Sequence, residues 1–111
     1  IPPAPALSGG AFVASPLAGT LAAQTLRVIG GRPQRSDDHW PQGFIYAGFA
    51  AAARDAAARL PASVSIIDLD ADPWGASLAA QLRAARVEGA LIRPDRYIQG
   101  TGPAANFFRR P

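Results

Sequence analysis

The sequence predicts an α/β domain built on a mixed sheet. Two observations carry that expectation. Short β-prone runs, "FIYA" at 44–47, "VSIIDL" at 64–69 and "ALI" at 90–92, alternate with two Ala-rich segments of helical period. The last two apolar runs flank a Pro-Asp turn with almost no residues between them, so they must fold back antiparallel. At 111 residues the chain holds one small domain.

Residues 1–19 contain Pro2, Pro3, Pro5, Gly9, Gly10, Pro16 and Gly19, the composition of a linker or extended arm, and the domain proper is expected over 20–111. Leu21 to Ile29 holds a strand whose apolar part is Leu26, Val28 and Ile29. The stretch "GGRPQRSDDHWPQG", residues 30–43, is polar and rich in turn formers and reads as a loop. "FIYA" is the next strand. Phe49 to Leu60 reads as a helix burying Phe49, Ala53, Ala56, Ala57 and Leu60, with Arg54, Asp55 and Arg59 opposite. Asp55 and Arg59 form a stabilising i,i+4 pair, and Pro61 ends the helix.

Val64, Ile66, Ile67 and Leu69 make the next strand apolar on both faces, which predicts a central position in a sheet covered by helices. Asp72 followed by Pro73 is a helix start, an N-cap and then Pro at the first helical position. Trp74, Leu78, Leu82 and Ala85 form the buried stripe, Gln81, Arg83 and Arg86 face away, and Gly89 follows the end. A parallel βαβ unit with a right-handed crossover, a second helix and a C-terminal β-hairpin is the element order of a thioredoxin-like fold. The chain has too little sequence after the hairpin for that fold's usual last helix.

Composition excludes several functions. There is no Cys, so disulfides, thiolate catalysis and zinc–cysteine sites are out. A redox thioredoxin needs its Cys pair where Ala47, Gly48, Phe49 and Ala50 stand. The lack of Cys fits a cytoplasmic location, which is expected; no apolar run is long enough to cross a membrane, and "IPPAPALSGG" lacks the basic start and apolar core of a signal peptide. The absence of an initiator Met points to a piece of a longer chain. The net charge is only +3, all basic residues are Arg, and these are dispersed without an aromatic array, so no nucleic-acid partner is expected.

Isolated motifs read as structure. "GTGPAA" at 100–105 matches a dinucleotide fingerprint but lacks the helix and second strand that would follow it. Asp68, Asp70 and Asp72 alternate as in a calcium loop, yet Pro73 and Ala79 stand where Gly and Glu are needed. Asp37, Asp38, His39 and Trp40 cluster in a loop, and His39 is the only His. None of the serines has a nucleophile-elbow context. Arg109 and Arg110, after Phe107 and Phe108, form a tail. No catalytic, cofactor-binding or metal-binding residue emerges. In "RPDR", residues 93–96, Pro and Asp suit the second and third positions of a type I turn. Arg96 then takes the position Gly prefers, at a cost of about 1 kcal/mol if its φ is positive, so a turn-only role predicts that Gly is tolerated there. Arg93, Asp95 and Arg96 are nonetheless the residues best placed to form an interface.

"LIRPDRYIQGTG", residues 91–102, resembles the RPD signature near the C-terminus of class A flavoprotein aromatic hydroxylases, with the 3-(3-hydroxyphenyl)propionate, phenol and polyketide hydroxylases nearest. "LAGTL" at 17–21, "WPQGFIYAG" at 40–48 and "IIDLDADPWGASLAAQL" at 66–82 resemble that family's segments in the same order. The likeness spans residues 16–102, and it departs at Ala22, Ala23, Gln24 and Thr25, where the propionate hydroxylases carry an aromatic and Pro. It implies a non-catalytic, cysteine-free C-terminal accessory domain of an FAD- and NAD(P)H-dependent monooxygenase. Such a domain carries no cofactor itself. It packs on the N-terminal FAD and substrate domains of its parent or makes subunit contacts in a homo-oligomer. A free-standing binding or oligomerisation module is the alternative.

Overall fold

A computed structural model describes residues 15–108. Residues 1–14 of the expected arm, and the Arg109–Arg110 tail, lie outside them. The described chain forms two sheets and two α-helices: β1 (Leu26–Ile29), β2 (Arg32–Arg35), β3 (Ile45–Gly48), α1 (Ala50–Arg59), β4 (Ser65–Asp68), α2 (Ala76–Ala84), β5 (Gly89–Ile92) and β6 (Ile98–Thr101). The strands β4-β3-β5-β6 make the main sheet, with β3 and β4 parallel and the other pairs antiparallel. The α/β class and the mixed sheet are as the sequence predicts. No helix among the described residues is long and apolar enough to cross a membrane.

The two faces of the main sheet bury separate clusters. Ile45, Ala47, Ala90 and Ile92 point to one side, where Leu78, Ala79 and Leu82 of α2 meet them with Leu69, Trp40 and Ile98. Tyr46 and Leu91 point to the other, with Ala56 of α1, Val64, Ala104 and Phe107. This is the period-2 alternation of strands and the 3.6-residue period of helices converging on one sheet. Asp72 caps the start of the second helical segment as expected: its Oδ1 accepts from Trp74 N at 2.9 Å, and a 3₁₀ turn at Pro73–Gly75 leads into α2.

Several expectations need correction. The 30–43 segment is not all loop. Gly30 and Gly31 have φ of 58° and 78°, the left-handed pair that a two-residue hairpin needs, and Arg32–Arg35 returns as β2 in register with β1. β4 is an edge strand, not a central one. Helices cover both its faces, which explains its two-sided apolar character without a second strand neighbour. Ala57 is exposed, and Ala79 takes a core place in α2. The C-terminal strands are joined by residues 93–97, with a register shift between Leu91 and Ile92. Residues 15–19 form a turn against β6, with Ser15 Oγ accepting from Thr101 N at 3.0 Å and Ile98 O accepting from Gly19 N at 2.8 Å.

Candidate functional site

The expected interface residues lie in the connection between β5 and β6, against the loop that follows β2. The Arg93–Arg96 turn is closed by a bond from Arg96 N to Arg93 O at 2.8 Å, the i to i+3 bond of a β-turn. Asp95 serves the turn twice: Oδ1 accepts from Tyr97 N at 3.1 Å, and Oδ2 pairs with Arg93 Nη2 at 3.0 Å. Arg96 has the positive φ anticipated for it, 71°.

The Arg96 side chain does what the turn alone does not require. It is buried, with its Nε 3.3 Å from Asp37 Oδ1, while Nη2 donates to Pro41 O at 3.0 Å and reaches Trp40 O at 3.5 Å. Arg96 therefore finds a carboxylate within its own chain and ties the C-terminal turn to the loop after β2. Its Nη1 is buried with no hydrogen-bond partner among the described residues, as is Gln24 Oε1. The three site residues are adjacent, but Arg96 points inward, the Arg93 side chain is largely buried, and only Asp95 is exposed.

The hairpin is fastened to the domain by side chains the sequence does not single out as a group. Arg27 lies over the Trp74 ring at 5.1 Å, and His39 stacks on that ring at 4.0 Å between centroids and 15° between planes. His39 Nε2 meets Gln34 Oε1 at 2.6 Å, and Trp40 Nε1 donates to Asp72 Oδ2 at 3.2 Å. The expected role of Trp74 as a core residue is thus only partly met. It packs against the α2-side cluster from its margin and gives its ring to the hairpin. The Gly30-Gly31 doublet is the signal that finds this hairpin; nothing local announces the pairing of Arg96 with the distant Asp37.

The other face of the hairpin is uncovered. Register places Leu26 opposite Arg35 and Val28 opposite Pro33, on the side away from Arg27 and Gln34. Leu26 and Val28 are 69% and 73% exposed. Of the three arginines in residues 21–35, Arg35 shares this face, opposite Leu26, while Arg27 and Arg32 lie on the other, so this is a short apolar strip with Arg35 at its edge.

The aspartates with calcium-like spacing are all engaged in capping. Asp68 Oδ1 accepts from Asp70 N at 2.9 Å, Asp70 Oδ2 from Ala50 N at the start of α1 at 2.7 Å, and Asp72 from Trp74 and Trp40. No group of three or more metal-ligating side chains occurs among the described residues. Tyr46 is pushed well above the usual phenol range, by burial first and then by Glu88 and Asp55; its hydroxyl donates to Gly102 O at 2.7 Å, so it holds structure and carries no mobile proton near neutrality. Comparison with protein-family models, with curated proteins and with solved structures finds no match.

Proposed function

We propose that this chain is a non-catalytic accessory domain that docks on a larger protein, and that the parent is an FAD- and NAD(P)H-dependent aromatic-ring monooxygenase of which it forms the C-terminal, thioredoxin-like part. The observation that carries the docking role is the outer face of the hairpin: Leu26 and Val28 lie mostly in solvent, with Arg35 beside them. Exposed contiguous apolar surface with a polar rim marks interaction sites, and an isolated two-stranded hairpin is marginal unless packed. The monooxygenase part of the reading rests on the resemblance of "LIRPDRYIQGTG" and its companion segments. The strand order β4-β3-β5-β6, with one parallel pair, supports the thioredoxin-like reading.

In this reading the parent's N-terminal domains hold FAD and substrate, and hydroxylation of a phenolic ring happens there. This domain contributes a covering surface through the outer face of the hairpin. The test is to isolate the natural protein from its source and measure its intact mass and visible spectrum. A chain several hundred residues longer with a bound flavin is expected; a natural product of this size without flavin overturns the monooxygenase reading. With the parent in hand, Leu26→Asp with Val28→Asp is expected to loosen this domain from the body, seen as faster proteolysis between the two. Unchanged proteolysis overturns the hairpin as the docking face.

A further inference from the structure

The two edges of the main sheet are treated differently. The β6 edge is closed by the chain itself: Ile98 N donates to Thr20 O at 2.8 Å, Gly19 N to Ile98 O at 2.8 Å and Ala22 N to Arg96 O at 2.9 Å. The β4 edge has no such cover among the described residues, since β4 pairs with β3 alone. Ser65 N donates to Phe44 O and Leu69 N to Gly48 O, so the odd-numbered residues of β4 turn their backbone groups to β3. By strand geometry those of Val64, Ile66 and Asp68 turn outward.

Two of the outward groups have internal partners. Val64 N donates to Pro61 O at 3.0 Å, and Asp68 O accepts from Ala71 N and Asp72 N at 3.1 and 2.9 Å. What is left facing outward is Ile66 N–H, Ile66 C=O, Asp68 N–H and Val64 C=O. An antiparallel pairing of two such edges about a two-fold axis at Ile66 uses just this set. The two Ile66 residues exchange both bonds as a hydrogen-bonded pair, and at each flank Asp68 N–H meets Val64 C=O of the other copy. The flanking groups already engaged inside the chain are those that this arrangement leaves idle. Self-complementarity of one patch is what a two-fold interface requires.

Side chains agree with the register. Val64, Ile66 and Asp68 share the face covered by α1, where a cleft of about 440 Å³ runs along the edge between Ala50, Ala53 and Arg54 on the helix and Ile66 and Asp68 on the strand. The axis places Ile66 against Ile66, extending the apolar row, and Asp68 against Val64, so like charges are not opposed. Arg54 and Asp68 bring one cation and one anion to the same cleft, which makes the patch complementary in charge to its own copy. The small Ala50 and Ala53 side chains keep the edge approachable.

We propose that β4 pairs with β4 of a second copy of this chain, joining two sheets into one. This inference stands apart from the docking role of the hairpin. The strand is short, so the association is weak, and the measurement is made on the 111-residue chain at roughly 10 µM and roughly 1 mM, bracketing the affinity of a small interface. Light scattering is expected to show the mass rising toward that of a dimer. Amide exchange at Ile66 and Asp68 is expected to slow by about tenfold or more over the same span, while solvent-facing amides elsewhere do not change. Ile66→Pro removes the outward N–H, which an edge strand tolerates, and is expected to stay monomeric. If that variant does not fold, the exchange of the unaltered chain decides. A monomer at every concentration overturns the proposal. So does a dimer in which Ile66 and Asp68 exchange at unchanged rates, the result expected if copies meet through the hairpin; a monomer throughout is the result expected if only a different extended partner fits the edge.

Discussion

Arg96 joins two opposing effects in one residue. Its φ of 71° costs about 1 kcal/mol relative to Gly, and on the turn alone Arg96→Gly is neutral or stabilising. The side chain reverses that sign. Losing the Asp37 pair and the bonds to Trp40 and Pro41 carbonyls, which share one guanidinium, removes charge-assisted contacts worth about 1.5–3 kcal/mol together. The 3.3 and 3.5 Å separations and the partial exposure of Asp37 put the sum toward the lower end. Arg96→Gly is therefore expected to lower stability by about 1–2 kcal/mol in urea denaturation, and an unchanged or raised midpoint would show that backbone strain outweighs the buried contacts. The turn was legible from "RPDR" because its chemistry is local. The destination of the Arg96 side chain was not, because its partner lies on another loop and no periodicity links the two.

At the scale of elements, what the sequence showed and hid follows the strength of local pattern. β3, α1, β4, α2 and β5 were readable from apolar period and from Asp72-Pro73, since each buries a face whose spacing matches its own geometry. β2 was hidden because Arg-Pro-Gln-Arg has no apolar alternation; its pairing is set by the Gly-Gly turn and by the link from Gln34 through His39 to the Trp74 ring in the 3₁₀ turn before α2, not by burial of its own side chains. That makes the Trp74 ring the fastening of the hairpin. Cation–π and ring stacking at an exposed site contribute roughly 0.5–1.5 kcal/mol each. Trp74→Ala is expected to cost about 1–2.5 kcal/mol, below the 3–5 typical of a large aromatic lost from a core. Hydrogen exchange provides the sharper check: β1 and β2 amides should lose protection first in this variant while β3 and β5 keep theirs. Uniform loss across both sheets would mean that Trp74 belongs to the core after all.

The whole molecule is held by a sheet whose central strands are fully buried, and Tyr46 marks where its two ends meet. β3 brings the Tyr46 ring beneath Gly89 of β5; a Cβ at Gly89 would collide with the hydroxyl, and the same hydroxyl reaches Gly102 O beyond the end of β6 at 2.7 Å. Tyr46 was readable as a strand residue. The need for a glycine at position 89 is not legible from its place after a helix, because close approach is a property of three strands together. The buried phenol gives the fold a pH dependence of definite sign. Tyr46 holds its proton in the folded state well above the value of about 10 in an unfolded chain. Between the two, the unfolded state releases a proton that the folded state keeps, so stability falls as pH rises. The contribution is complete below about pH 10 and declines progressively above it. Thermal midpoints followed from neutrality to alkaline pH should therefore drop for the wild-type chain once the unfolded phenol ionises. In Tyr46→Phe the neutral-pH midpoint should be lower, since Gly102 O loses its donor at a cost of about 1–3 kcal/mol, yet the alkaline decline should be shallower. Parallel pH profiles for the two proteins would show that Tyr46 does not couple ionisation to folding, and that the alkaline limit of the fold lies with other groups.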